Sequence, residues 1–305
     1  MKKLVLGGIA TSTAKKYSYL QQAFLGFCQA RGWTAVPCGK ETLIRYAAWL
    51  KLHKKLGAST IRGHLAAIKL LHTVNGEAFC GDNDPKFALA KKAINKHGSP
   101  PDPRLPITKN ILDRILLVGA MKGDRDAQGF MAAAALGYYG FMRISELFIS
   151  KGAPNQGLRL RNVSVSDGTL SLRLESSKGD KEGRGASISI APTGERGCPL
   201  RLLAGYLASR TCWTADEPLF LLENGSPMGA AWFRAKLKQS CEEAGFIGNF
   251  NGHSLRIGAA TDAFHKGLPP YTIKMLGRWR SDAYLQYLRP SSSGLAAVRA
   301  SLGDN

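Results

Sequence analysis

The chain has 305 residues, 44% hydrophobic and 21% charged, which is enough apolar material for about two cored domains at roughly 150 residues each and excludes a disordered chain. Forty-two Lys and Arg against 22 Asp and Glu leave a net charge of +20, so a compact fold here is expected to meet a polyanion, with nucleic acid first and an anionic membrane second. No stretch reaches 18 uninterrupted apolar residues, which excludes a single-helix bilayer span.

Residues 1–10 carry a basic end and a short apolar run before Thr11, Ser12 and Thr13, and read as a disordered arm rather than a signal peptide. Helical spacing of apolar residues then predicts four helices. They are Thr13–Arg31 (Tyr17, Leu20, Phe24, Phe27), Glu41–Leu56 (Leu43, Tyr46, Ala47, Leu50), Ser59–Asn75 (Ile61, Leu65, Ile68, Leu71) and Asp84–His97 (Phe87, Ala90, Ile94). Each is followed by a glycine, Gly32, Gly57, Gly76 and Gly98, read as a left-handed cap. One apolar stripe per helix makes a small bundle over residues 1–98. Residues 1–104 hold 17 basic and 5 acidic side chains, so this segment is the more basic per residue. The prolines at 100, 101, 103 and 106 predict an extended linker over 99–108.

Helical patterns resume at Lys109–Leu117 and Gln128–Tyr139, the second within an apolar run that extends to Met142. The period then changes to two over Leu158–Val165, Leu170–Glu175 and Ala186–Ile190, with a turn at Ser166-Asp167-Gly168. This predicts a three-stranded antiparallel sheet. Helices are expected again at Pro199–Ser209, Ala230–Glu243, Ser254–Lys266, Pro270–Leu276 and Ser281–Leu288. A tail over 291–305 carries Leu295, Val298 and Leu302 at helical spacing. The fold class is mainly α (α+β), helical with one small sheet. The six cysteines (28, 38, 80, 198, 212, 241) form no CxxC pair, so reduced thiols in an intracellular compartment are expected.

Four stretches carry candidate chemistry. His253 and Arg256, in Gly252-His253-Ser254-Leu255-Arg256, lie three apart at a helix start, where free N–H groups add partial positive charge and complete a phosphate clamp. Trp279, Tyr284 and Tyr287 lie in Gly-Arg-Trp-Arg-Ser-Asp-Ala-Tyr-Leu-Gln-Tyr-Leu-Arg. Arg143 and Glu146 are three apart in Arg-Ile-Ser-Glu, and Lys178 sits on the hairpin between the second and third strands. Taken singly these read as a capped helix, aromatic core, an intrahelical ion pair and a solvated lysine.

In order, however, they give Arg-x-x-Glu, a hairpin Lys, His-x-x-Arg, then Gly-Arg-Trp and a Tyr. That series, with a small sheet between its first two members, resembles the tyrosine recombinase (phage integrase) family. The likeness is strong over 109–290 and looser over 1–98, which would be the family's core-binding domain. The Gly-Arg-Trp…Ser-Asp-Ala-Tyr wording is similar to recombinases of eukaryotic mobile elements (DIRS-like and Crypton-like). The gap from Trp279 to Tyr287 is one residue shorter than in many bacterial members.

The resemblance implies a site-specific recombinase that cuts and rejoins DNA through a covalent 3′-phosphotyrosine and a Holliday junction. Tyr287 would be the nucleophile, with Tyr284 its rival. Arg143 and Arg256 would neutralise the phosphate, His253 and Trp279 would donate hydrogen bonds, and Lys178 would protonate the leaving 5′-hydroxyl. Glu146 fits the acidic position after the first arginine, and either it or His253 would assist the tyrosine proton. No metal or other cofactor is expected, since two arginines do the work of a divalent ion. The partner would be double-stranded DNA gripped in a C-shaped clamp, with Lys51, Lys54, Lys55, Arg62 and Lys69 as phosphate contacts. A homo-tetramer on two paired sites is expected, with the tail docked either in cis or on a neighbour. The protein would be intracellular and DNA-associated, in the nucleus of a eukaryote or the nucleoid of a bacterium. The alternatives are a type IB topoisomerase-like relaxing enzyme and a non-catalytic DNA-binding relative. A membrane binder is disfavoured, because no helix pairs a wide apolar face with a Lys-rich one.

Overall fold

The computed structural model describes residues 7–9, 11–96, 104–150, 156–176, 180, 183–210 and 213–288. The start of the arm, the first part of the linker, Lys178 and the tail lie outside them. The chain divides into two compact units, residues 1–101 and 102–305.

The first unit holds α1 (Thr11–Gln29), α2 (Lys40–Leu52), α3 (Ala58–Asn75) and α4 (Pro85–Lys96). The apolar stripes face one another: α3 packs on α1 and α2, and α4 on α2. Phe24, Leu43, Tyr46, Ile61 and Ile68 are completely buried. The Tyr46 hydroxyl is 2.9 Å from Nδ1 of buried His64. Burial, with Lys16 adding to it, lowers the His64 pKa, so the ring is neutral at pH 7. Gly76 is the expected left-handed cap, at φ 76°. Gly57 is not a cap of α2. That helix stops at Leu52, the positive φ falls on Lys55 (51°), and Gly57, at φ −70°, begins α3.

The second unit runs α5 (Lys109–Lys122), α6 (Arg125–Tyr139), a single turn α7 (Ile144–Leu147), the strands β1 (Val163–Ser166), β2 (Thr169–Leu174) and β3 (Ala186–Ile190), then α8 (Pro199–Ala208), α9 (Ala230–Glu243), α10 (Ser254–His265) and α11 (Pro270–Leu276). Helix α6 is its centre. Apolar residues on every side of a helix demand burial on every side, and α6 is enclosed by α5, α8 and α10. Ala132 to Ala135 are fully buried, their small side chains allowing close approach. Asp124 caps α6, accepting the Ala127 N–H at 2.6 Å.

The sheet is antiparallel in the order β1-β2-β3. Leu170 pairs with Ile190 and Leu172 with Ile188, and all four point into the core. Asp167 and Gly168, at φ 50° and 71°, both take the left-handed conformation that a two-residue hairpin turn requires.

Three expected elements differ. The predicted strand 158–165 begins as a 3₁₀ turn, Leu160–Asn162, because the Asn162 amide oxygen accepts the Arg159 N–H at 2.8 Å and closes the chain locally. The apolar run to Met142 leaves the helix at Tyr139, where Phe141 takes φ 49°. Residues 282–287 form a 3₁₀ helix rather than an α-helix. Residues 104–108 are extended but docked: Ile107 is fully buried and its N–H donates to the Ser254 carbonyl at 2.9 Å.

Candidate active site

Three local structures converge in the second unit. The first is the turn from Gly140 to α7. Arg143 is the N-cap of α7 and Glu146 its third residue. The Glu146 carboxylate accepts the Arg143 backbone N–H at 2.9 Å and Arg143 Nη1 at 2.7 Å. The expected ion pair is present, and the same carboxylate reaches back to cap the start of α7. Glu146 is only 2% exposed.

The second is the start of α10. Gly252 lets this turn approach α7, since a Cβ there would lie 1.7 Å from Ile144 Cδ1. His253 is exposed at the N-cap, and its N–H donates to Asn251 Oδ1 at 2.9 Å. Arg256, one turn inside, is 3% exposed. Its Nη1 donates to the Phe141 carbonyl at 2.8 Å and its Nη2 to the Gly277 carbonyl. Burial is the main cause that lowers its proton affinity, Arg143 adds to it, and Glu146 opposes it. The pKa falls to about 9, still above neutrality, so Arg256 is a buried cation at pH 7.

The third is the stretch after α11. Trp279 lies under Arg256, whose guanidinium carbon is 4.1 Å from the ring centroid, a distance at which the ring face attracts a cation. Tyr284 and Tyr287 flank the same indole, each with ring centroid 5.9 Å away. They are not equivalent. Tyr284 is 6% exposed and is part of the core, whereas Tyr287 is only partly buried. Tyr287 lies near enough to Arg256 to weigh on its charge. The Tyr287 carbonyl accepts from Thr261 on α10 at 2.9 Å, which fixes the end of the 3₁₀ helix.

Arg143, Glu146, Arg256, Trp279 and Tyr287 are therefore brought together, with His253 at the mouth of the same helix. Sequence reasoning did not select Arg278. Its Nη2 pairs with Glu146 Oε2 at 2.9 Å, and its Nη1 donates to the Gly140 carbonyl at 3.1 Å. Burial would raise the Glu146 carboxyl, but Arg278 first, with Arg143 and Arg256, outweighs burial and holds it below the usual range. Three guanidiniums thus surround one carboxylate. Arg278 Nε is buried without an acceptor among the described residues, and three cations facing one carboxylate leave a net positive charge that attracts an anion such as phosphate.

The first unit carries exposed cations of its own. Lys54, Lys55 and Arg62 are exposed and Lys51 is half-buried, whereas Lys69 pairs with Asp82 at 2.7 Å. Beside them is a cluster that charge patterning alone did not indicate. Arg31 lies 3.9 Å from the Phe27 ring centroid, Arg45 5.3 Å from Trp33, and Lys54 5.1 Å from Trp49.

Residues 116–291 match the Phage integrase family. The chain belongs to that family. It is a tyrosine recombinase, an enzyme of site-specific DNA recombination. An integrase/recombinase xerD homolog from Selenomonas ruminantium is 25% identical over 287 residues, which is 90% of this chain and 80% of the relative. The fold of this recombinase is also that of solved structures at lower identity. The Tn1549 transposon integrase in complex with transposon right end DNA aligns at TM-score 0.69 and 15% identity, covering 98% of this chain and 96% of that one. The XerH site-specific recombinase bound to its palindromic difH substrate aligns at 0.64 and 16%, covering 92% and 75%. A lambda integrase dimer bound to a core site aligns at 0.58 and 15%, covering 92% and 93%. No described helix of the recombinase is long and apolar enough to cross a membrane.

Proposed function

We propose that this recombinase cleaves duplex DNA by attack of the Tyr287 phenol on a scissile phosphate, giving a 3′-phosphotyrosine and a free 5′-hydroxyl. A nucleophile that stays attached preserves the ester bond energy, so the strand is rejoined without another energy source. The observation that carries this reading is the shared packing of Tyr287 and Arg256 on the ring of Trp279. The phenol must lose its proton during attack, and the buried Arg256 guanidinium supplies positive charge to the site where that happens. Arg143 and Arg256 neutralise the non-bridging oxygens as charge moves onto them in the transition state. His253 adds a hydrogen bond, and Lys178 protonates the leaving oxygen. Tyr284 is disfavoured as nucleophile by its burial.

The substrate is double-stranded DNA. The basic helical unit (1–98) contacts the duplex through phosphates at Lys51, Lys54, Lys55 and Arg62. Four copies assemble on two sites, exchange strands through a Holliday junction, and use the tail 291–305 as a cis or trans contact. The test takes duplexes selected by the protein from a randomised pool and nicks them at successive positions, so that the cleaved fragment diffuses away and the adduct accumulates. Wild-type protein should give a protein–DNA adduct resistant to boiling in detergent. Tyr287→Phe should bind the same duplex and give none, and an adduct from Tyr287→Phe would assign the nucleophile elsewhere.

A further inference from the structure

We propose that Arg278 is a positioning residue, which keeps Arg143 available to phosphate by taking up half of the Glu146 carboxylate. The proposal rests on Arg143 acting as a phosphate-neutralising group, as set out above.

The two oxygens of Glu146 are divided. Oε1 accepts Arg143 Nη1 at 2.7 Å, while Oε2 accepts the Arg143 backbone N–H and Arg278 Nη2, both at 2.9 Å. Arg143 therefore spends one nitrogen of its planar fork on the carboxylate, and the rest of the fork makes no hydrogen bond within the described residues. A planar guanidinium facing a lone buried carboxylate prefers to engage both oxygens in a two-pronged pair. Such a pair would consume the face of Arg143 that a phosphate needs. With Arg278 on Oε2, the second prong is already occupied.

Arg278 is held firmly enough to do this. Its backbone is left-handed, φ 55°, a conformation that costs a residue with a Cβ about 1 kcal/mol or more and persists only where its surroundings impose it. Gly277 before it admits no side chain, because a Cβ there would sit 1.7 Å from the Trp279 ring. Its guanidinium reaches the carbonyls of Gly140 at 3.1 Å, Leu276 at 3.2 Å and Phe141 at 3.4 Å. Arg278 thus ties the turn that leads to Tyr287 to the turn that carries Arg143. Its side chain is 16% exposed, like that of Arg143.

A residue that merely stabilises the fold and one that partitions a carboxylate predict opposite results in a double mutant. The rate of adduct formation is read in single-turnover trapping at saturating protein, on duplexes selected as above. Arg278→Ala should slow it about 100-fold, the scale of a misplaced catalytic group. In that background Glu146→Gln removes the charge that captures Arg143, and should restore the rate at least about fivefold, within the range of coupling between groups in contact. Arg278→Lys keeps a cation on Oε2 and should stay within about tenfold of wild type. Unchanged cleavage by Arg278→Ala, a double mutant no faster than Arg278→Ala alone, or Arg278→Lys as slow as Arg278→Ala would each overturn the proposal. A folded Arg278→Lys keeps the comparison decisive if the alanine variant fails to fold. Absence of any adduct from wild-type protein would instead refute the function on which the proposal stands.

Discussion

Adding one methyl group at Gly258 should disable the enzyme from a position that touches no substrate. Gly258 lies on α10, two residues beyond Arg256. A Cβ there would fall 1.8 Å from the Ile107 carbonyl oxygen, 2.3 Å from its carbon and 2.9 Å from the Thr108 nitrogen. All three are backbone atoms, so no rotamer change relieves them. Side-chain carbons essentially never approach closer than 3.0 Å, so α10 and the extended segment before α5 must separate by about 1.2 Å. Two effects oppose each other. Alanine in place of glycine favours the helix by about 1 kcal/mol, whereas forced overpacking costs about 1–3 kcal/mol and more where backbone must move. The Ile107-to-Ser254 hydrogen bond of 2.9 Å crosses the same seam and would stretch, so the clash wins. Net destabilisation of about 2 kcal/mol corresponds to a fall in Tm of about 4–8 °C for a unit of this size. A shift of about 1 Å in Arg256 should slow cleavage about 100-fold. Calorimetry and single-turnover trapping read the two quantities. Wild-type Tm and cleavage rate in Gly258→Ala would refute the idea that close backbone contact sets the position of Arg256.

Asp262 accepts the Lys109 N–H at 2.6 Å and the Tyr138 hydroxyl at 2.5 Å. Asp262→Ala leaves a buried hydroxyl and a helix start without an acceptor, so it should cost about 3 kcal/mol in urea unfolding, and Asp262→Asn about half as much. Glu146 has a folded pKa below its ordinary 4.5. The stability it contributes is therefore fully present above that pH and is lost as pH falls through the folded value. Wild type should exceed Glu146→Gln by about 3 kcal/mol at pH 7, and the gap should narrow below pH 4.5. A gap that widens on acidification would contradict the sign of the shift.

Periodicity alone located most of the scaffold. Ala186–Ile190, Ala230–Glu243 and Pro270–Leu276 are bounded as the sequence indicates, because each has strong local signals: β-branched alternation, an amphipathic stripe, or a leading proline. The discrepancies arise where a side chain competes with the backbone for a hydrogen bond. Asn162 does so at the start of the expected first strand, and Ser281 accepts from the Ala283 N–H at the start of the 3₁₀ helix. The convergence of Arg143, Arg256, Trp279 and Tyr287 was legible only through the order of motifs. Arg278 was not legible at all. Within Gly-Arg-Trp it looks like any turn arginine, and its partner Glu146 is 132 residues away, a distance that helical or strand periodicity does not bridge.

The central claim is that one phenol forms the bond to DNA. Digesting the trapped adduct and sequencing the DNA-linked peptide by mass spectrometry tests it most directly. The nucleotide should be linked to Tyr287, in the tryptic peptide that spans Ser281 to Arg299, since the Arg289–Pro290 bond resists trypsin. Attachment to Tyr284, or to any residue outside that peptide, would contradict the account.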